Sequence, residues 1–260
     1  MAIILVFTLL FLSACKKEAI NQKKSFGPDF NLDKFEDELK ASIQPSGAIG
    51  WTYIISQNGL FARGGGFGKA RNNADGNRAM NINTKVNMAS ISKFLTATAV
   101  MQLLERRNLT VDSKIGQWLP NNWNQGPGVS QLSFREILGH TSGLSSVNTQ
   151  FSRTLGYTGL RKMIDTGVIR SKTYTYLNAN YALCRILIPS LWKGLNDAPL
   201  MLILDSATTE KNYEKYMQKH IFEPIGLSNI TCEPEDRSIC TLYYSTTDGE
   251  TNNGLYYGSW

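Results

Sequence analysis

Residues 88–106, MASISKFLTATAVMQLLER, carry the strongest constraint on how this chain can fold. Ile91, Phe94, Leu95, Ala97, Ala99, Val100, Met101, Leu103 and Leu104 fall on every side of a 3.6-residue period, which predicts a helix buried at the centre of its domain. Such a helix needs other layers to cover it. A chain of 260 residues with 42% hydrophobic residues can supply them.

The same run holds Ser90 and Lys93, three residues apart and therefore on one helix face. A serine is a poor nucleophile until a neighbour takes its proton. A lysine serves when burial in apolar surroundings lowers its pKa, and the flanking residues supply that setting. A helix N-terminus adds donors and positive potential where an oxyanion forms.

Ser-x-x-Lys occurs three times, so context must separate the copies. Ser13/Lys16 lies at the end of the apolar N-terminal run. Ser190/Lys193 follows Pro189 and precedes a polar GLNDAP stretch. Only Ser90/Lys93 sits on the apolar helix. A second proton-transfer group comes from TYTYLNANYAL, which contains the one Tyr-x-Asn of the chain, Tyr176 and Asn178. Alternation before Tyr176 and a helix after Ala179 place this pair on a loop, where polar side chains can face a cleft.

The rest of the chain reads as mixed helix and strand. NLDKFEDELKASIQ predicts a helix capped by Asn31, with Leu32, Phe35, Leu39 and Ile43 on one face. Two β-rich runs flank Asn58-Gly59, a hairpin signal because both residues tolerate positive φ. The glycines from 64 to 68 fail the phosphate-loop patterns, with Arg63 and Ala70 at key places, and read as a turn leaving the hairpin. A short helix is expected within LTVDSKIGQWLPNNW and another from about Ser133, with further helices near 156–166, 180–193 and 209–221. No internal repeat is visible.

The first fifteen residues, MAIILVFTLLFLSAC, are uncharged and too short for a comfortable membrane span, but they suit a signal-peptide core. Leu12-Ser13-Ala14-Cys15 resembles a bacterial lipobox, which implies cleavage before Cys15 and lipid on its sulfur. Residues 1–14 then read as a signal peptide, 15–31 as a lipidated tether and 32–260 as the working domain. The expected setting is the bacterial cell envelope, with the membrane reached through Cys15. Ser13 and Lys16 fall on opposite sides of that cut, which discards their match. In an oxidising compartment Cys232 and Cys240, which flank a polar loop, can close a local disulfide. Cys184 lies in an apolar helical stretch and reads as core. C-x7-C is not a zinc spacing and the chain has two histidines, so no metal or other cofactor is expected. The net charge of +6 is scattered with no block of like charges, which argues against a nucleic-acid partner.

Taken in order, these segments resemble the serine β-lactamase and penicillin-binding-protein superfamily, in its class C β-lactamase, D-alanyl-D-alanine carboxypeptidase and esterase branch. GAIGWTYIISQNGLFARGGGFGKA is similar to the opening hairpin. VNMASISKFLTATAVMQLLERRNLTVDSKIGQWLP resembles the nucleophile helix and its sequel. LSFREILGHTSGL, YTYLNANYALC and YMQKHIFEPIGLSNI are similar to three later signatures. The likeness covers roughly residues 32–247. It implies an α/β fold of the α+β type, an antiparallel sheet flanked by helices with a mostly helical subdomain. It also implies that Ser90 is acylated, that Lys93 helps deprotonate it, that Tyr176 acts as general base and shuttle, and that Asn178 holds the substrate amide. The backbone N–H of Ser90 would form half of the oxyanion hole. His140 belongs to a structural loop on this reading, and no G-x-S-x-G elbow exists.

The resemblance also implies a third motif, K-[ST]-G or H-x-G, on an edge strand. Neither form occurs here, so the sheet is expected to be incomplete. The chain reads as a C-terminally truncated domain, either a fragment or a natural short form. The expected activity is hydrolysis of amide or ester bonds in D-alanyl peptides, β-lactams or small esters. The alternative is a relative that binds cell-wall peptides without turnover.

Overall fold

The computed structural model describes residues 30–71, 77–86, 88–145, 156–199, 205–228 and 230. Cys15, Cys232, Cys240 and nearly all of the proposed signal and tether lie outside them. The chain divides into two compact units, one of described residues up to 84 and one from 85 on.

The first unit starts with α1, Leu32–Ile43, whose Asn31 side chain accepts from Lys34 N–H at 3.0 Å as the sequence predicts. Strands β1 (Gly50–Gln57), β2 (Leu60–Arg71) and β3 (Arg78–Ala79) form an antiparallel sheet in that order. Asn58 and Gly59 turn the hairpin with φ of 53° and 75°, the mirror-image turn that matches strand twist. The α1 helix meets the hairpin through the Arg63–Glu36 ion pair (3.2 Å) and the Lys40 ammonium over the Phe67 ring.

The glycine run is not a turn. Gly64, Gly65 and Gly66 lie inside β2, opposite Ile54, Tyr53 and Thr52. Close approach explains them. A Cβ on Gly66 would lie 2.5 Å from Asn81 Cα, and one on Gly65 would lie 2.9 Å from the Tyr53 ring.

The second unit is helical. A 3₁₀ turn, Ala89–Ile91, leads into α2, Ser92–Arg106. Then come α3 (Phe134–Leu138), α4 (Tyr157–Thr166), α5 (Asn178–Trp192) and α6 (Ser206–Met217). The α3 helix begins with a reciprocal box: Ser133 Oγ accepts from Glu136 N–H, and the Glu136 carboxylate accepts from Ser133 N–H.

The buried central helix is α5, not α2. Eleven of the fifteen residues of α5 are buried, whereas α2 buries only the stripe of Thr96, Ala99, Val100, Leu103 and Leu104. Ile91 and Phe94 stand 69% and 73% exposed. The α5 and α6 helices pack on the covered stripe of α2. Apolar composition on all sides of α2 therefore overstated its burial. Leu103, Leu104, Leu183, Leu187 and Trp192 meet in one core, each large aliphatic side chain adding ~1.5–3 kcal/mol to folding. Cys184 belongs to it, as expected, and burial pushes its thiol up to about 12.

Candidate active site

Ser90 occupies the middle of the 3₁₀ turn before α2, rather than α2 itself. The preceding residue, Ala89, has φ of 45°. A left-handed L-residue costs roughly 1–2 kcal/mol, so the turn that presents Ser90 is strained and held by its surroundings.

Lys93, in the first turn of α2, is half-buried and donates from Nζ to Ser90 Oγ at 3.2 Å. Tyr176 approaches the same oxygen from a loop 86 residues away in sequence, with 2.6 Å between Ser90 Oγ and Tyr176 Oη. The Lys93 ammonium also lies 5.2 Å from the Tyr176 ring centroid and 5.7 Å from that of Tyr181. Burial raises the Tyr176 phenol, but the Ser90 hydrogen bond and the Lys93 ammonium outweigh it and leave the group below its ordinary 10. A phenol so placed is easier to ionise, and the phenolate so formed can accept the Ser90 proton.

Asn178 is the first residue of α5 rather than a loop residue. Its Oδ1 is buried and has no hydrogen-bond partner among the described residues. Ser190 and Lys193, the competing pair, sit at the far end of α5, where Lys193 terminates the helix.

Sequence reasoning missed the groups that hold Tyr176. His140 is buried, with φ of 56°. Its carbonyl accepts from Thr175 N–H at 2.8 Å and its Nδ1 accepts from Leu177 N–H at 3.1 Å, so it grips the residues on either side of Tyr176. The rings of His140 and Tyr176 lie 4.6 Å apart, those of His140 and Tyr181 5.3 Å. Two residues on, Ser142 binds Asn180 of α5. The HTSG segment was legible as a structural loop, but nothing in its spelling showed which loop it supports.

A serine flanked by an ammonium and a phenol, on a helical unit of this kind, defines the serine β-lactamase and penicillin-binding-protein class. The chain belongs to the Beta-lactamase family, whose model matches residues 35–190. It is 26% identical over 181 residues to the putative penicillin-binding protein PbpX of Bacillus subtilis, covering 68% of this chain and 40% of that protein. Its fold is similar to the β-lactamase/D-alanine carboxypeptidase from Pseudomonas syringae (TM-score 0.62, 17% identity, 82% of this chain and 55% of that one). It is also similar to the D-amino acid amidase from Ochrobactrum anthropi (TM-score 0.55, 20% identity, 75% of this chain and 50% of that one). The chain thus spans about two-fifths to just over half the length of these relatives.

Proposed function

We propose that the chain is part of an envelope serine hydrolase that works through an acyl-enzyme at Ser90. The contact of Ser90 Oγ with both Tyr176 Oη and Lys93 Nζ carries this reading. Ser90 Oγ attacks a carbonyl carbon while its proton passes to the oxygen of the ionised Tyr176, a phenolate, which becomes the neutral phenol. The C–N or C–O bond breaks, and the leaving amine or alcohol takes that proton. Water then attacks the acyl ester, releasing the acid and restoring the Ser90 hydroxyl. Lys93 keeps the phenol acidic and stabilises negative charge on the oxygens. The buried Oδ1 of Asn178 is suited to accept from a substrate amide N–H. D-alanyl peptides, β-lactams and small esters all present a suitable carbonyl. The lipobox-like Leu12–Cys15 supports attachment to the membrane at the cell envelope.

A fluorescent penicillin or a fluorophosphonate tests this directly. The wild-type protein should be labelled covalently and Ser90→Ala should not. Equal labelling of both removes Ser90 as nucleophile. Saturable binding of muropeptides with no labelling of either protein would favour binding without turnover.

A further inference from the structure

We propose that His140 is the positioning residue for Tyr176, and that protonation of its Nδ1 releases the Tyr176 loop and so withdraws the proton acceptor from Ser90. This rests on the acyl-enzyme reading above, although the latch itself is a property of the fold.

The latch has two bonds. The His140 carbonyl takes Thr175 N–H, and Nδ1 takes Leu177 N–H. Tyr176 is the residue between them, so its backbone is fixed on both sides. An imidazole nitrogen that accepts a hydrogen bond carries no proton, and the neutral ring therefore holds its hydrogen on Nε2. Protonating Nδ1 turns that acceptor into a donor facing another donor. One of the two bonds is then lost. A loop that carries a reacting group on a 2.6 Å contact has little tolerance for such a shift.

The surroundings favour the neutral ring. The ionisable groups against it are Lys93 from α2, Tyr174 and Tyr176 from the loop, and Tyr181 from α5. Burial, with the Lys93 ammonium adding to it, holds the imidazole below its ordinary value. Tyr181 is itself anchored, donating to the Leu138 carbonyl at 3.1 Å. The switch therefore operates on the acid side of neutrality.

His140→Asn separates this role from simple packing. Asparagine tolerates positive φ, and its side-chain oxygen can accept from Leu177 N–H but cannot titrate in this range. Two readouts should be followed as pH is lowered from about 8 to about 5, across the ordinary histidine range. One is the rate of Ser90 labelling by a fluorescent penicillin. The other is the hydrogen-exchange protection factor of the Leu177 amide, which needs no activity. In the wild type both should fall together, protection by about tenfold for the loss of one buried hydrogen bond. In His140→Asn protection should stay level, and labelling should fall less steeply than in the wild type, through loss of the Tyr176 phenolate alone. Protection at Leu177 that ignores pH in the wild type overturns the latch, and that measurement stands even if the variant fails to fold. A His140→Asn labelling profile with the wild-type acid limb overturns the coupling to Ser90. Labelling that survives Ser90→Ala sinks the site assignment instead, while the exchange data still judge the latch.

Discussion

The Ser142 hydroxyl donates to Asn180 Oδ1 at 2.9 Å, and both side chains are buried. The same hydroxyl accepts from Leu144 N–H at 3.2 Å. This contact joins the loop that holds Tyr176 to the central helix α5. Ser142→Ala should lose ~1–3 kcal/mol of stability in urea unfolding, because it leaves buried polar atoms without a partner. Asn180→Ala should cost a similar amount. The double variant should cost clearly less than the sum, by about 0.5–3 kcal/mol of coupling. Strict additivity would mean the two side chains act independently.

Ala89 is a strained alanine next to the proposed nucleophile. Glycine reaches positive φ freely but also loosens the unfolded chain. Ala89→Gly should therefore be neutral or stabilising by up to about 1 kcal/mol. Ala89→Val should lose more than ~1 kcal/mol, since a β-branched residue fits positive φ worst. Thermal unfolding of the two variants gives the comparison, and equal melting temperatures would show that the turn relaxes.

Lys93→Met keeps the length of the side chain and removes its charge. The Tyr176 phenol then loses one of the two partners that hold it below 10, so its ionisation should move to higher pH. Spectrophotometric titration of Lys93→Met with and without Tyr176→Phe isolates that phenol among the tyrosines. Labelling of Ser90 at neutral pH should fall ~10²–10⁴-fold, the usual worth of a proton-transfer group. A phenol that titrates as in the wild type would remove Lys93 as its partner.

Both histidines are held below their ordinary value. Burial does this at His140. At His220 burial and the Arg106 guanidinium outweigh the Asp197 carboxylate, whose Oδ2 lies 2.9 Å from Nε2. The unfolded chain therefore binds protons that the folded chain refuses. Stability should be complete above the ordinary histidine pKa of about 6.5 and decline as pH falls toward the depressed folded values, by at most ~1.4 kcal/mol per pH unit for each proton. Urea midpoints between about pH 7.5 and pH 5 measure it, and His140→Asn should flatten the decline. A midpoint that rises in acid would reverse the assigned direction.

Features set by neighbouring residues were legible in the sequence. The Asn31 cap, the Asn58-Gly59 turn and the start of α3 at Ser133 each depend on a few consecutive residues. Ser90, Lys93 and Tyr176 could be named because their residue types and spacing are tied to a reaction. The glycine run was misread because its causes, the Tyr53 ring and the backbone of residues 80 and 81, are brought alongside by the sheet. The burial of α2 was overstated, and α5 proved the central helix, because composition states how apolar a helix is and not which stripe its neighbours cover. His140 was placed in a structural loop, but its bond to Leu177, beside Tyr176, spans 37 positions and becomes visible only when α3 and the start of α5 are side by side.

The burial of Cys184 bears on redox chemistry. Disulfide exchange proceeds through the thiolate, and a thiol pushed up to about 12 carries almost none at neutral pH. Its Sγ donates to the Asn180 carbonyl of its own helix at 3.7 Å. An oxidising compartment would find this sulfur chemically silent for as long as the helical unit stays folded. Scrambling at Cys184 would then report unfolding itself.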